Sequence, residues 1–393
     1  MNILHYRKRF SPISETFIYD YIKGLSDAGV NCHVATHYRK NRESRPLSPV
    51  HVASPPSLWN LKRLLRRIRF LGQPNAGPRS LWPPMRRGLE RIVEQVRPDV
   101  IHAHFGGEGV QIAPIAKRFG IPLVVTFYGY DISSLPSRPY GGYDTSAYKT
   151  WAEAYLDLWA VVDAVTVLSK QMKSAALDLG CPEEKIHVVR LSRDLRQFPF
   201  FPPNQPAKRI LFLGRLTAKK APLDAVKAVE LVNQRGANVT LDIVGDGKLH
   251  EELEEYIADR NLAKYVTLHG RVPNEKISDY MREADIFLLP SKTAPDGDQE
   301  GTPTVLIEAQ ASGLPCVSTQ HAGIPEMIPS ENHDFLAPEG DVAELASILK
   351  DLSSRSVEEL VEVAERGRRK VEEEFNLTQE IDKLQTIYQS LQE

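Results

Sequence analysis

Two glutamates frame the start of a predicted helix in the last third of the chain. Glu300 lies just before this helix and Glu308 lies two turns inside it, with seven residues between them. Eight helical positions rise about 12 Å, whereas the two carboxyl groups of a glycoside hydrolase stand only ~5–9.5 Å apart. The two carboxylates are therefore expected to contact different parts of one ligand rather than a single bond.

The helix that carries the second glutamate has well-marked ends. Thr302 is predicted to cap it, Pro303 suits its first position and Gly313 ends it. In the first turn, the backbone NH groups of Thr304 and Val305 have no partner within the helix and lie at the positive end of its dipole. The helix start is therefore a candidate anion site.

A carboxylate, an anion site and a second carboxylate suit a nucleotide-sugar. In this interpretation Glu300 holds the sugar, the helix start holds the diphosphate and Glu308 holds the ribose hydroxyls. The alternative for either glutamate alone is a solvated acid on a capped surface helix.

The elements around this stretch alternate between strands and helices along two series. The strands are apolar and β-branched through their length, which predicts parallel, doubly wound sheets in an α/β fold. The first series has strands at 2–6, 31–36, 99–103, 122–127, 164–168 and 186–191, and helices at 16–25, 110–119, 146–162 and 169–179. The second has strands at 209–213, 239–244, 266–269, 285–290 and 315–318, and helices at 222–235, 250–261, 274–283 and 303–311, before tail helices at 357–370 and 378–391.

Length and composition place these series in two domains of a soluble protein. A chain of 393 residues is too long for one core, and the run 196–208, rich in proline and aromatic residues, is the predicted linker. We expect a Rossmann-like domain at 1–195, a second at 209–375 and a final segment at 376–393.

Charge and cysteine content exclude several classes of protein. A formal net charge of −2 gives no overall field for nucleic acid. Three widely spaced cysteines argue against a disulfide framework or a thiolate metal site. The sequence shows no signal peptide and no membrane-spanning run, so a cytoplasmic location is expected.

The segment 58–91 interleaves basic residues with large apolar ones. Such a segment can lie on an anionic membrane at the inner face and bring the protein to a lipid-linked partner. The alternative is a helix that packs its apolar side on its own domain and leaves its arginines in water.

Polar side chains also fall where strands of the first series end. Ser14 and Glu15 lie at the start of the first helix, and His104, Tyr128 and Asp131 follow two later strands. Open α/β sheets bind ligands at the carboxyl ends of their strands, so we expect these residues to face a ligand. The alternatives are simple capping for the first pair and a packed, satisfied side chain for the histidine.

Taken together, the E-x7-E spacing, the loop TAPDGDQEG, the run SGLPCVSTQHAGIPE and the N-terminal SPISETFI resemble glycosyltransferase family 4. The likeness is greatest to the branch with colanic-acid and other exopolysaccharide transferases. It implies the GT-B fold, with two Rossmann-like domains facing a central cleft and a last helix that crosses back to the N-terminal domain. It also implies retaining transfer from a UDP- or GDP-sugar to an acceptor hydroxyl, in exopolysaccharide or glycolipid synthesis.

The resemblance also assigns residues of the donor site. Gly214, Arg215 and Lys220 match the segment whose cations sit on the donor diphosphate. Glu300, Arg215 and Lys220 would then be the catalytic residues, with Glu300 on the sugar. Gly245 and the backbone around Arg271 and Val272 would hold the base and its ribose. No cofactor or metal is expected, because Arg215, Lys220 and the helix start can neutralise the phosphates; Asp296 and Asp298 are the alternative metal pair.

One departure from the family pattern bears on catalysis. The stretch TFYGYD has Tyr128 where the family has a histidine that meets the transferred sugar. A tyrosine can donate a hydrogen bond but is no base near neutral pH. This departure favours one rival function, a catalytically weak nucleotide-sugar-binding subunit. The other rivals are a GT-B sugar-nucleotide epimerase and a phosphorylase.

Overall fold

A computed structural model of the protein describes residues 1–12, 15–53, 83–141 and 148–392. It divides into two compact units. Unit 1 comprises Met1–Leu168, Met172–Val189 and Thr378–Glu393, and unit 2 comprises Ser169–Gln171 and Arg190–Leu377. The chain thus passes to unit 2 at Arg190, ahead of the predicted linker at 196–208, and its last helix belongs to unit 1.

Unit 1 is built on a parallel sheet. Its strands are β1 (Asn2–Tyr6), β2 (Arg9–Phe10), β3 (Asn31–Thr36), β4 (Tyr38–Arg39), β5 (Val50–Val52), β6 (Val100–His104), β7 (Leu123–Thr126), β8 (Ala164–Val167) and β9 (Ile186–Val188). Within the described ranges, seven of them form one sheet in the order β5-β3-β1-β6-β7-β8-β9, while β2 pairs with β4. The connections leave β1 and β6 in opposite directions, so the switch point of the sheet lies between their carboxyl ends.

Helices cover this sheet. They are α1 (Thr16–Asp27), α2 (Pro83–Val96), α3 (Gly106–Phe119), α4 (Tyr130–Ser133), α5 (Trp151–Trp159) and α6 (Lys170–Asp178). Helix α6 belongs to unit 1 from Met172 onward. The predicted helix at 110–119 in fact begins at Gly106, because close packing outweighs the low helix propensity of glycine. A Cβ on Gly106 would lie 2.3 Å from the ring of Phe127, and one on Gly109 would lie 2.9 Å from Val125.

Unit 2 repeats the plan. Its strands are β10 (Arg209–Leu213), β11 (Thr240–Val244), β12 (Val266–Gly270), β13 (Ile286–Leu288), β14 (Cys316–Thr319) and β15 (Leu336–Ala337). They are parallel, in the order β12-β11-β10-β13-β14-β15, and the switch point lies between β10 and β13. Its helices are α7 (Pro222–Gln234), α8 (His250–Asp259), α9 (Ile277–Glu283), α10 (Thr304–Ala311), α11 (Ile324–Met327), α12 (Val342–Ser354) and α13 (Val357–Glu374). The last helix, α14 (Leu377–Ser390), belongs to unit 1 from Thr378 onward.

The prediction of two doubly wound parallel sheets is confirmed. Helix α12 was not predicted, although its start carries a recognisable signal. Asp341 caps it by accepting the Glu344 N–H at 2.9 Å, which is the pairing expected of an acid three residues before another. The short strands β5 and β15 were also not predicted, because two or three residues carry too little periodicity. The predicted helix at 146–162 is shorter, since α5 begins at Trp151 after a Thr150 cap.

Only part of the basic segment 58–91 belongs to the described residues, from position 83 onward. In α2, Leu89, Ile92 and Val93 are buried, and the helix packs against β1 and β3. The described part therefore uses its apolar side within its own unit, and its exposed side carries Arg86, Arg87 and Arg91. Among the helices in the described ranges, none has the length and apolar character needed to cross a bilayer.

Candidate functional site

The predicted donor residues of unit 2 lie at one edge of its sheet, where the strands end. Those after β10 and β11 are Gly214, Arg215, Lys220 and Gly245; those after β12 are Arg271 and Val272; and those between β13 and α10 are Glu300 and Thr302. The residues after β10 and β13 therefore flank the switch point, where sheets of this kind bind ligands.

A buried ion pair joins the two sides of this switch point. Nζ of Lys220 lies 3.2 Å from Oε1 of Glu300, and the two side chains are 11% and 8% exposed. Burial acts to raise the pKa of the Glu300 carboxyl, but the charge and hydrogen bond of Lys220 together with the charge of Lys219 outweigh it and hold that pKa below its usual value. Burial also lowers the pKa of Lys220, and Glu300 offsets only part of this effect. Arg215 is exposed, and its charge also lowers the pKa of Lys220.

Glycines bring the ends of β10 and β11 into direct contact. Gly245 has a φ of +141°, and a Cβ there would lie only 1.8 Å from the carbonyl oxygen of Gly214. The Gly214 N–H donates to the carbonyl of Val244 at 3.0 Å. Only glycine fits at 245, because this φ and this approach both exclude a side chain. The contact also places Gly214 under the Lys220 side chain, whose Cδ would lie 3.6 Å from an added Cβ.

Helix α10 begins one residue later than predicted. Its N-cap is Pro303, with φ −71° and ψ 98°, and no side chain caps it. The prediction that Thr302 caps the helix was therefore wrong: proline fits the extended N-cap position, where its missing N–H removes no helical bond. The Leu306 N–H is the first of the helix to donate to an earlier carbonyl, that of Pro303 at 2.9 Å. The NH groups of Thr304 and Val305 precede it, as expected for an anion site.

Glu308 lies on α10 and is paired with Arg193. Nε of Arg193 is 2.9 Å from Oε1 of Glu308, and the guanidinium lies over the Phe198 ring, 5.6 Å from its centroid. The carboxylate predicted to hold the ribose is thus buried beside a cation. Any ribose hydroxyl that reaches Glu308 shares it with Arg193.

The loop before Glu300 contains the two acids of the alternative metal pair. The carboxylate of Asp298 accepts from Nζ of Lys219 at 3.2 Å, and the carboxylate of Asp296 accepts the Asp298 N–H at 3.3 Å. Lys219, the first lysine of the segment GRLTAKK, therefore holds this loop, and a metal ion would have to displace its ammonium group.

In unit 1, Glu15 lies at the switch point beside an arginine that was not predicted. Glu15 is the N-cap residue of α1, but its side chain makes no capping bond. Its carboxylate instead accepts two bonds from Arg7, at 2.8 and 3.0 Å. Arg7 also binds the buried Glu108 and stacks on Phe105, 4.0 Å from the ring centroid. Simple capping is therefore excluded for Glu15, and Ser14 lies outside the described residues.

The other three residues predicted for unit 1 form a connected group. The Tyr128 hydroxyl is hydrogen-bonded to Nδ1 of His104 at 2.7 Å. The Asp131 carboxylate accepts the backbone N–H of Tyr128 at 2.9 Å and of Gly106 at 2.8 Å, which ties together the loops after β6 and β7. Burial raises the pKa of Asp131 to about 6. It also lowers the pKa of His104 far below its usual value, so this histidine is a packed, neutral side chain.

Three histidines of unit 1 lie close enough to suggest a metal site, with one nitrogen of each within 4.8 Å of the others: His5, His102 and His104. Their arrangement is that of a hydrogen-bonded stack instead. The rings of His102 and His104 are stacked 4.6 Å apart, and Nδ1 of His5 lies within hydrogen-bonding distance of Nε2 of His104, at 3.2 Å. Both nitrogens of His102 are already bonded, to the hydroxyls of Tyr388 and Thr126 at 2.6 Å.

Several residues of these sites were not predicted: Arg7, Glu108, Arg193, and the hydrogen-bonded pair of His321 and Glu339, in which His321 accepts the backbone N–H of Glu300. The last two follow β14 and β15, and the rule that ligands bind at strand ends would have found them. For the others, no local signal exists, because a buried ion pair depends on which distant segments meet.

Two family models match the chain. The model described as Glycosyl transferases group 1 matches residues 207–355, and the model described as Glycosyltransferase Family 4 matches residues 14–197. A putative colanic acid biosynthesis glycosyltransferase, WcaL of Escherichia coli K12, is 29% identical over 96% of this chain and 96% of its own. The amylovoran biosynthesis glycosyltransferase AmsK of Erwinia amylovora is 38% identical over 71% of this chain and 67% of its own.

Solved structures share the architecture. HepE of Anabaena, in complex with UDP and glucose, superposes with a TM-score of 0.74 at 19% identity, covering 99% of this chain and all of the other. The sucrose-phosphate synthase of Thermosynechococcus elongatus gives 0.71 at 17% identity, covering 100% and 99%. At these identities the likeness concerns the fold.

Proposed function

Because the chain belongs to the glycosyltransferases of group 1 and family 4, we propose that it transfers a sugar from a nucleoside-diphosphate donor to an acceptor hydroxyl. Its two doubly wound units have the GT-B fold. We further propose retention at the anomeric carbon and no requirement for a metal. The buried pair of Lys220 and Glu300 beside the start of α10 is the observation that supports this most.

In the proposed complex, cations and backbone amides hold the diphosphate. Lys220, Arg215 and the NH groups of Thr304 and Val305 supply positive charge around the switch point of unit 2. A diphosphate gains negative charge as the glycosidic bond breaks, so fixed positive groups stabilise the transition state more than the bound donor. Because Lys220 is buried, little water screens this attraction.

The sugar and the nucleoside would contact the remaining predicted residues. Glu300 is ionised, because Lys220 lowers its pKa. Once Lys220 binds the diphosphate, the Glu300 carboxylate accepts hydrogen bonds from sugar hydroxyls. Glu308, next to Arg193, accepts from the ribose. The backbone at Gly245 and at Arg271 and Val272 lies at the far edge of the same strand ends and would contact the base.

The reaction can be written with these groups alone. The bond between the anomeric carbon and the β-phosphate oxygen breaks, and the acceptor oxygen bonds to the same carbon on the same face. The acceptor proton passes to the departing phosphate oxygen, so no side-chain base is required. This suits a site in which Tyr128, with its pKa raised far above the usual value by burial, stands where a histidine was expected.

The acceptor is proposed to be a saccharide of a growing exopolysaccharide. WcaL and AmsK are named for colanic acid and amylovoran biosynthesis. Glu15, Tyr128 and the loop held by Asp131 lie at the strand ends of unit 1 and would contact it. The exposed arginines of α2 add a positive surface that can approach an anionic membrane carrying a lipid-linked acceptor.

A panel of UDP-, GDP- and ADP-sugars tests donor binding, because a ligand that binds only the folded state raises the melting temperature. We expect one base to be preferred and Lys220→Met to remove the shift. Lys264→Met is the matched control, since this exposed lysine precedes β12 at the opposite edge of the same sheet. No shift with any nucleotide-sugar would contradict the proposal.

Proton NMR of the product separates the remaining possibilities. Retention gives a product with the anomeric configuration of the donor, and EDTA leaves the rate unchanged. An epimerase would alter the sugar from donor alone, and a binding subunit would be stabilised by donor without turnover. Neither is favoured by the relatives, which are named as glycosyltransferases.

A further inference from the structure

A buried histidine holds the backbone of Glu300. Nε2 of His321 accepts the backbone N–H of Glu300 at 3.1 Å, and Nδ1 lies 2.6 Å from Oε1 of Glu339. An amide N–H can only donate, so Nε2 carries no proton. The proton of the neutral imidazole is therefore on Nδ1 and is donated to Glu339. His321 is fully buried, so no water competes for its nitrogens. The two hydrogen bonds therefore fix both the tautomer and the orientation of the ring.

The same carboxylate fixes the other end of the loop that leads to Glu300. Glu339 accepts the backbone N–H of Thr293 at 2.8 Å, while its other oxygen meets His321. Between these ends, Nζ of Lys219 donates to the Gln299 carbonyl at 3.1 Å. The segment 293–300 is thus closed at both ends by a carboxylate and an imidazole from the ends of β15 and β14.

We infer that His321 and Glu339 are positioning residues for Glu300, an inference that rests on the proposed function. Donor binding would require the Glu300 carboxylate to exchange Lys220 for the sugar. An anchor on the backbone amide permits this exchange, because it holds the main chain still and leaves the carboxylate free. A neutral imidazole also adds no charge that would compete with Lys220 for Glu300.

The sensitivity of the site to this anchor follows from geometry. Groups that contact the reacting sugar must be held to within ~0.5 Å, and a misplacement of about 1 Å can lower turnover roughly 100-fold. His321→Leu keeps the volume and removes both hydrogen bonds. His321→Gln keeps one acceptor and one donor, so it should restore part of what leucine removes.

Hydrogen–deuterium exchange tests the anchor without any substrate. We expect the amides of segment 293–300 to exchange faster in His321→Leu and Glu339→Ala than in wild type, with His321→Gln in between. His333→Leu is the control, an exposed histidine of the same unit. Unchanged exchange in His321→Leu would overturn the inference, whether or not the protein is a transferase.

Measurements of kcat and UDP affinity then distinguish a loss of Glu300 positioning from a general loss of folded structure. UDP release from UDP-glucose, UDP-galactose and UDP-N-acetylglucosamine should show kcat lowered about 100-fold in His321→Leu, with UDP affinity unchanged and kcat partly restored in His321→Gln. A kcat equal to that of an active wild type, or an equal loss of UDP affinity, would overturn the inference. A wild type that turns over none of the UDP-, GDP- and ADP-sugars of the melting panel would contradict the proposed function. The exchange result would still show whether His321 and Glu339 hold the segment 293–300.

Discussion

Removing the cation of the buried pair should destabilise unit 2 strongly. Lys220→Met leaves the Glu300 carboxylate buried without its partner, and both side chains are about nine-tenths buried. Breaking such a pair costs about 3–5 kcal/mol. A unit of this size loses about 2–4 °C in melting temperature for each kcal/mol, so its transition should fall by roughly 6–20 °C at pH 8. Lys264→Met should change it little.

The double variant shows whether the cost comes from the pair. Lys220→Met leaves the Glu300 charge buried without a partner, and Glu300→Gln removes that charge. The loss in free energy of unfolding should therefore be smaller in the double variant than the sum of the losses in the two single variants. Residues in contact typically couple by about 0.5–3 kcal/mol. Differential scanning calorimetry of wild type, both single variants and the double variant gives this coupling directly.

The pH dependence has a definite sign. In wild type the pKa of Glu300 is lowered, so its contribution to stability is present above the ordinary carboxyl pKa and is lost as the pH falls through the lowered value. Lys220→Met removes the largest of the influences that oppose burial, so burial raises that pKa and the variant loses stability as the pH rises. The deficit of the variant should therefore grow from pH 5 to pH 8. An equal deficit at both pH values, or additive substitutions, would refute the buried pair.

Three further substitutions have outcomes fixed by the structure. Burial raises the pKa of Asp131 to about 6. Its contribution to stability is therefore complete below the pKa of the unfolded chain and is lost as the pH rises through 6. Asp131→Asn should flatten that decline in a series of thermal melts from pH 4 to 7. Gly245→Ala should lower the melting temperature and abolish the shift with UDP, because its Cβ would lie 1.8 Å from the Gly214 carbonyl. Arg193→Met should weaken calorimetric UDP binding more than binding of inorganic pyrophosphate, since it disturbs Glu308, the residue proposed to hold the ribose, rather than the groups proposed to hold the diphosphate.

The parts of the fold that were predictable are those set by local pattern. Strands such as β1 and β10 were predicted with the bounds that the structure has, because an apolar run between turn residues specifies a buried parallel strand. Helix starts were less predictable. At α3, side chains from a neighbouring strand decide the boundary, and at α10 the position of one proline shifts it.

The candidate site was predictable where residues sit close in sequence or follow a strand. Glu300 and Lys220 were predicted separately, but nothing in the sequence indicates that they pair. The role of Arg7 was also hidden, because its partner Glu108 lies on a helix that follows a different strand. Tertiary packing decides which buried charges pair, and the spacing of residues along the chain does not indicate that packing.

The most direct measurement follows the amide of Val305 while UDP is titrated into protein labelled with ¹⁵N-valine, with Val305→Ala used to assign the signal. Lys220→Met provides the comparison at the neighbouring cation. If the start of α10 binds the diphosphate, the Val305 amide shifts with UDP in a saturable manner and uridine produces no such change. A Val305 signal that stays in place while UDP binds would contradict the account.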